Sequence, residues 1–215
     1  MTATLLLYVI PFGDRIAYPL MLLSTLAHEA GHGLMALLVG GSFHRLTVWP
    51  DGSGVAHWSA EPSRLRLAAV AAGGLVGPAL AAALGFHLGR RPGFARRTLG
   101  AVAIVLAVAL ILLVRGLFAW LFVATVAALC ALVARRADAK TARLVLIFLS
   151  VQLALSVFSR ADYLFTPVAT TASGSMPSDT ALIAQALWLP YWFWGTLCGA
   201  VSVFALIYGI RAYWR

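Results

Sequence analysis

Long apolar stretches, each about long enough to cross a lipid bilayer, constrain the fold of this chain more than any other feature. A membrane-spanning helix needs roughly 20 mostly apolar residues, and the sequence contains about six such stretches. They cover residues 16–40, 66–89, 98–114, 117–134, 143–159 and 182–210. Only 11% of the residues are charged, which is too few to coat a soluble globule. The sequence therefore predicts an all-α polytopic membrane protein with a bundle of about six transmembrane helices.

The basic residues lie in clusters between the apolar stretches. A net charge of +9 would suit binding to nucleic acid, but the clusters instead follow the positive-inside pattern of membrane proteins. The clusters are Arg90, Arg91, Arg96 and Arg97; then Arg135, Arg136, Lys140 and Arg143; then Arg211 and Arg215. We therefore expect the lipid bilayer, and no nucleic acid, as a partner. Placing the clusters in the cytoplasm puts both termini inside.

The connecting segments predict one membrane-embedded domain over residues 1–215, because most loops are short and no repeat or linker occurs. Loop 41–65 has aromatic and β-branched residues on both sides of Asp51-Gly52, which predicts a short β-hairpin after the first helix. Loop 160–181 is rich in Thr, Ser, Pro and Gly. At its end, either Ser178 or Asp179 would be a good N-cap for the last helix.

Small residues follow one side of the second apolar stretch. They are Gly73, Gly74, Gly77, Ala81 and Gly85. Small side chains at three- and four-residue spacing let helices approach closely in lipid. We therefore expect a partner helix to pack tightly against this side.

One cluster of ionisable residues, His28, Glu29 and His32, lies in the middle of the first apolar stretch. Positions i and i+4 share a helix face, so the two histidines can bind one metal ion, and Glu29 can reach a water on that metal. Unpaired charges at bilayer depth are costly, and a shared cation would satisfy them. This pattern predicts a Zn²⁺ site with His28 and His32 as ligands and Glu29 as the catalytic base.

A catalytic zinc usually has three protein ligands and an open position for water. Asp179 and Asp162 are both candidates for the third ligand, because each lies where an apolar stretch meets loop 160–181. Asp179 is slightly favoured; a helix N-cap is the alternative role for Asp179, and an ion pair with Arg160 is the alternative for Asp162. Surface or interfacial positions are expected for His44, His57 and His87.

These residues resemble the core of the site-2 protease family of intramembrane zinc metallopeptidases. The resemblance rests on the HEAGH helix, on Gly40-Gly41 followed by a hairpin, and on a small-residue helix with Gly77-Pro78. The run HEAGHGLMALLVGG, Asp162, and Ser178-Asp179 before a Trp-rich helix look like the compact bacterial and plant branch. The resemblance implies a bacterial cell membrane as the location and an aspartate ligand from a later span. The usual Asn-Pro-Asp-Gly or Leu-Asp-Gly motif is absent, so that ligand stays open between the two aspartates.

In that family the hairpin is thought to line the cleft and pair with an unwound substrate strand. Cleavage of a transmembrane helix requires unwinding, because the helix hides its peptide bonds in its own hydrogen bonds. The resemblance thus implies that the hairpin residues Leu46, Val48 and Val55 bind the substrate. An interfacial hairpin anchored by Trp49 and Trp58 is the alternative.

The leading prediction is a zinc metalloendopeptidase that hydrolyses peptide bonds of membrane-protein or peptide substrates. The reaction would be an attack by zinc-bound water, assisted by Glu29. A non-proteolytic metal-binding membrane adaptor or chaperone is the alternative, and it would have a closed site with four protein ligands. A transporter is a further alternative, which would show internal repeats and paired broken helices.

Overall fold

The computed structural model describes residues 13–159 and 161–214, and within them the chain is mostly helical. The helices are α1 (Gly13–Leu38), α2 (Arg64–Gly89), α3 (Pro92–Leu112), α4 (Leu117–Arg136), α5 (Ala139–Ser159), α6 (Asp179–Leu187) and α7 (Tyr191–Trp214). A 3₁₀ helix covers Ala161–Phe165. Two antiparallel hairpins complete the fold: β1 (Ser42–Val48) with β2 (Gly54–Ser59), and β3 (Val168–Thr171) with β4 (Gly174–Pro177).

Within the described residues, five helical segments are long and apolar enough to cross a membrane. They are α2, α3, α4, α5 together with the 3₁₀ helix, and α7. Helix α1 is equally long, at 26 residues, but the polar HEAGH motif lowers its hydropathy. The prediction of an all-α polytopic membrane protein with a short hairpin after the HEAGH helix is confirmed.

The last predicted span, 182–210, is in fact divided between α6 and α7. Helix α6 ends where Trp188 adopts a left-handed conformation, with φ of 65°. Pro190 follows, and because proline lacks an N–H group it cannot continue the helix. The chain therefore turns there, and α7 begins at Tyr191, inside the predicted segment.

Helices α1 and α2 pack closely in antiparallel directions through their glycines, as the small-residue pattern predicted. A Cβ atom added to Gly77 would lie 3.1 Å from Cα of Gly31, and one added to Gly73 would lie 2.6 Å from Cβ of Met35. Larger side chains at these positions would separate the helices. The two helices together form the frame on which the functional side chains lie.

The first hairpin folds back along α1. The Tyr18 hydroxyl donates to the Pro50 carbonyl at 2.6 Å, and the Thr25 hydroxyl donates to the Gly52 carbonyl at 2.7 Å. On its other side, the hairpin pairs with the α3–α4 connection, because the Leu46 N–H donates to Leu113 O at 2.9 Å. The outer edge of β1 is thus covered, and the tip of the hairpin lies beside the first half of α1.

The second hairpin, β3–β4, lies in a segment whose composition indicated a loop. Its strands have four residues each, and they are joined by Ala172-Ser173 followed by Gly174, which has a φ of +123°. Such short strands, rich in Thr, Ser and Gly, have no apolar alternation that would distinguish them from a turn. Sequence reasoning therefore missed this hairpin.

Candidate metal centre

Three ligand atoms from α1 and the start of α6 meet inside the bundle. Nε2 of His28 lies 3.1 Å from Nε2 of His32 and 3.1 Å from Oδ2 of Asp179. Nε2 of His32 lies 3.4 Å from Oδ1 of Asp179. His32 and Asp179 are buried, and His28 is partly buried. In the described part of the chain, this is the one group of histidine, cysteine and acidic side chains close enough to share a metal ion.

The His32 ring is fixed by helix α2. Its Nδ1 lies 2.8 Å from the Val70 carbonyl oxygen, which can only accept a hydrogen bond. Nδ1 therefore carries a proton, and in the neutral ring the lone pair of Nε2 is left to bind a metal ion. The other side of the ring lies against Gly74, where a Cβ atom would collide with the imidazole. A backbone carbonyl and a glycine thus orient this candidate ligand.

Asp179 is positioned by the beginning of α6. Ser178 is the N-cap, because its hydroxyl oxygen accepts a hydrogen bond from the Ala181 N–H at 3.2 Å. The Asp179 carboxylate is therefore free of capping and can reach the two histidines. It also accepts a hydrogen bond from the Tyr163 hydroxyl at 3.3 Å. The N-terminal end of a helix also favours a negative charge at this position.

Glu29 is buried beside the cluster, where it faces the first hairpin. Strand β2 passes so close to it that a Cβ atom on Gly54 would lie 2.8 Å from Cγ of Glu29. The backbone N–H of Ala56 provides a hydrogen-bond donor to its carboxylate. Glu29, the two histidines and Asp179 all line one cavity of about 140 Å³. The carboxylate can therefore reach a molecule that is bound next to the three ligand atoms.

The donor set fits a zinc ion. Ligand atoms that lie about 2.05 Å from zinc in a tetrahedron are about 3.3 Å from one another. The two imidazole nitrogens are 3.1 Å apart, and the two carboxylate oxygens of Asp179 lie 3.1 Å from the nitrogen of His28 and 3.4 Å from that of His32, which is close to this spacing. Two imidazole nitrogens and one carboxylate oxygen are also ligands that zinc commonly takes in catalytic sites.

Asp162, the other predicted ligand, does not belong to the group of candidate ligand atoms. Its exposed side chain lines a neighbouring cavity of about 360 Å³, which His28 and Glu29 also line. The other histidines of the described chain also lie outside the cluster. His44 is exposed with Nε2 2.7 Å from the Ser59 hydroxyl, and His57 is exposed on β2. His87 lines a groove between α2 and α7.

The three hairpin residues predicted to bind substrate separate into two groups. Leu46 and Val48 are buried, and they pack with Leu22 and Leu26 of α1 in a hydrophobic cluster behind the hairpin. Val55 lines the cavity of the metal centre. The difference follows from the positions of the strands, because β1 packs against the hydrophobic cluster on α1, whereas Gly54, Val55 and Ala56 of β2 all border the cavity.

Several cavity-lining residues had no signal in the sequence. Tyr163 comes from the 3₁₀ helix, Ala169 and Thr171 from β3, and Met176 from β4. Single small or aromatic residues in a polar loop carry no periodic pattern, so sequence reasoning could not select them. They reach the site because the second hairpin folds over it.

The family model described as Peptidase M50B-like matches residues 1–209 of the 215 residues. No curated protein and no solved structure gives a significant match.

Proposed function

Since the chain belongs to the site-2 protease family, whose members are membrane metallopeptidases, we propose that it hydrolyses peptide bonds of membrane-protein substrates at the His28, His32 and Asp179 centre. The observation that supports this proposal best is the shared cavity, in which Glu29 lies beside three atoms with zinc-ligand spacing. A ligand group and a buried carboxylate at one cavity are the parts that metal-assisted hydrolysis requires.

Zinc held by His28, His32 and Asp179 would polarise the scissile carbonyl and lower the pKa of a water molecule towards roughly 7. Glu29 accepts the proton of the attacking water and later delivers it to the nitrogen of the leaving amine. The Ala56 amide keeps the Glu29 carboxylate directed at the cavity. The hydrogen bond from Tyr163 holds Asp179 against His28.

The free edge of β2 supports binding of an extended substrate. Leu46 uses both its N–H and its C=O for the α3–α4 connection, so it forms no hydrogen bond with Ala56, its partner in the register. Leu46 and Ala56 are thus a non-hydrogen-bonded pair of the antiparallel ladder. In such a pair, the N–H and C=O groups of both residues point away from the partner strand. The Ala56 and Gly54 peptide groups therefore point to the open side of β2, where Glu29 lies. An unwound substrate strand can replace its helical hydrogen bonds at this edge.

The adaptor and transporter alternatives have less support. A purely structural zinc site usually has four protein ligands, whereas three ligand residues are gathered in the described part of this chain. Three ligands leave a position for water. The transporter alternative has no support from the family match, which is to a peptidase family.

We also propose that the start of α1 and the end of α7 lie in the cytoplasm, in a bacterial cell membrane as the resemblance implies. The Arg96 guanidinium donates to the Ala134 carbonyl at 3.1 Å, and the Arg143 guanidinium donates to the Tyr213 hydroxyl at 2.9 Å. These contacts support a common end of the bundle for the three basic clusters. The positive-inside rule assigns such an end to the cytoplasm.

The experiment that tests this function compares wild-type protein with Glu29→Gln and with the matched control Glu61→Gln. Glu61 is an exposed residue in a loop. Newly formed peptide termini are measured by mass spectrometry in membranes that contain each protein, together with the zinc content of each purified protein. We expect Glu29→Gln to retain zinc and to lower cleavage at least about a thousandfold, while Glu61→Gln behaves as wild type. Identical termini in the wild-type and Glu29→Gln membranes would contradict proteolysis.

A further inference from the structure

The second hairpin forms a wall of the catalytic cavity opposite β2. Ala169 and Met176 are partners across the β3–β4 register, and both line the cavity together with Thr171. Residues i and i+2 of a strand share a face, so Ala169 and Thr171 turn one face of the hairpin to the metal centre. The cavity is thus enclosed by the open edge of β2 and by the face of β3–β4.

The tips of the two hairpins are joined by a hydrogen bond. The Ala172 N–H donates to Oγ of Ser53 at 3.1 Å. The Ser53 hydroxyl in turn donates to Oδ1 of Asp51 at 2.7 Å, which leaves its oxygen atom as the acceptor for Ala172. This contact, Asp51–Ser53–Ala172, closes the space between the two walls and is called the latch below.

The two walls differ in how firmly the rest of the protein holds them. In the first hairpin, Leu46 and Val48 are buried in the core, and the tip is hydrogen bonded to α1. In the second hairpin Ala169 alone is buried among the strand residues, and every residue of β4 is exposed. Segments with few buried apolar contacts open at low cost in free energy. The second hairpin is therefore the wall that opens at the lower cost in free energy.

His28 and Glu29 also line the neighbouring cavity of about 360 Å³, whereas the cavity that contains His32 and Asp179 is smaller. Its volume of about 140 Å³ is below the roughly 300 to 1,000 Å³ of typical ligand pockets. A peptide strand in extended conformation needs more space than this. Small residues lie on both walls, with Gly54 on one wall, Ala71 from α2, and Ala169 and Thr171 on the other wall, while Tyr163 is the large side chain next to Asp179.

We propose that β3–β4 is a hinged cover that opens at the latch, presses an extended substrate segment against the β2 edge, and selects small side chains next to the scissile bond. This inference rests on the proposed function. It adds a specificity-determining element, the face formed by Ala169, Thr171 and Met176. The preferred substrate is a transmembrane segment with residues such as Gly, Ala and Ser at its cleavage site, because these fit between the walls and Gly also makes the helix easier to unwind.

A reversible disulfide tests the opening step. The latch contact brings positions 53 and 172 within reach of a disulfide, so we use the double variant Ser53→Cys/Ala172→Cys in nanodiscs, with each single variant as a control. The natural cysteines, Cys130 and Cys198, are buried in α4 and α7. The probe is a synthetic Leu/Ala transmembrane peptide of about 24 residues with a central Ala-Gly-Ala-Ser segment.

Binding is measured in the Glu29→Gln background, by photocrosslinking from the central segment of the probe, so that the result does not depend on turnover. We expect oxidation of the double variant to lower crosslinking at least tenfold, and reduction to restore it. The single variants should not respond to oxidant. Equal crosslinking of the oxidised and reduced forms would overturn the hinged cover. If instead the proposed function is wrong, wild-type protein will not cleave the probe. Oxidation will still change the crosslinking of the double variant as described.

The selectivity is tested with Ala169→Leu and its matched control Val168→Leu, whose exposed position does not line the cavity. The probe is compared with a second peptide that has Leu-Phe-Leu-Phe at its centre. We expect wild-type protein and Val168→Leu to crosslink the small-residue peptide at least tenfold more strongly. Ala169→Leu should lose this binding and keep its zinc. Equal binding of both peptides by wild-type protein would contradict the selection of small side chains.

Discussion

Oδ2 of Asp179 lies 3.1 Å from Nε2 of His28, although the two residues are 151 positions apart in the sequence. Helix α6 places the carboxylate there because Ser178 supplies the N-cap and so leaves Asp179 free. The same geometry distinguishes Asp179 from Asp162, which lines a neighbouring cavity with an exposed side chain.

Asp179→Asn should lower the zinc affinity at least about a hundredfold, because a neutral amide replaces a charged ligand. The matched variant Asp162→Asn should bind zinc as wild type does. Competition with a metal chelator, followed by measurement of zinc per protein, checks both expectations. The assignment of the third ligand would be reversed if Asp162→Asn lost zinc and Asp179→Asn retained it.

Gly74→Ala should displace the His32 ring, since the added methyl group would occupy the position of the imidazole. The expected result is a loss of zinc affinity of at least about tenfold. Gly100→Ala is the control, because the nearest atom to its added Cβ, on Ala134, is 3.8 Å away and alanine favours a helix. If both variants bind zinc as tightly as wild type, the His32 ring tolerates the methyl group and this expectation is wrong.

Tyr163→Phe removes the hydroxyl that donates to Asp179 and keeps the ring that lies edge-on to His28 at 5.9 Å. We expect zinc affinity to fall by about tenfold, the usual effect of losing a group that orients a metal ligand. The measurement is the same chelator competition at constant pH. Unchanged affinity together with lower cleavage would instead assign the hydroxyl to the substrate.

Leu46→Ala and Val55→Ala should have different consequences, although their side chains lie in paired strands. Leu46 is 4% exposed in the cluster behind the hairpin, so its truncation should lower the free energy of unfolding by about 2 kcal/mol or more. Val55 lines the catalytic cavity, so its truncation should change KM with little effect on stability. Thermal unfolding in detergent and cleavage of the synthetic peptide separate the two. A shift in KM with Leu46→Ala at unchanged stability would contradict its role in packing.

Local sequence patterns determined most of the architecture. The apolar stretches predicted the spanning helices, because only helices and closed barrels can satisfy backbone groups in lipid. The spacing of His28 and His32 placed two imidazoles on one face of α1, because the helix repeat is a local property. The glycines of α2 similarly predicted a closely packed partner helix, and the structure identifies this partner as α1, with close contact at Gly31 and Gly77.

Tertiary structure alone decided which residues from distant segments meet at this centre. Asp179 and Asp162 have similar local sequence environments, and the choice between them depends on how α6 and the 3₁₀ helix pack against α1. The second hairpin likewise has no apolar pattern of its own, and it is defined by its turn and by its position over the cavity. A sequence specifies periodic, local features directly, whereas the distance between two remote side chains depends on the packing of all the elements between them.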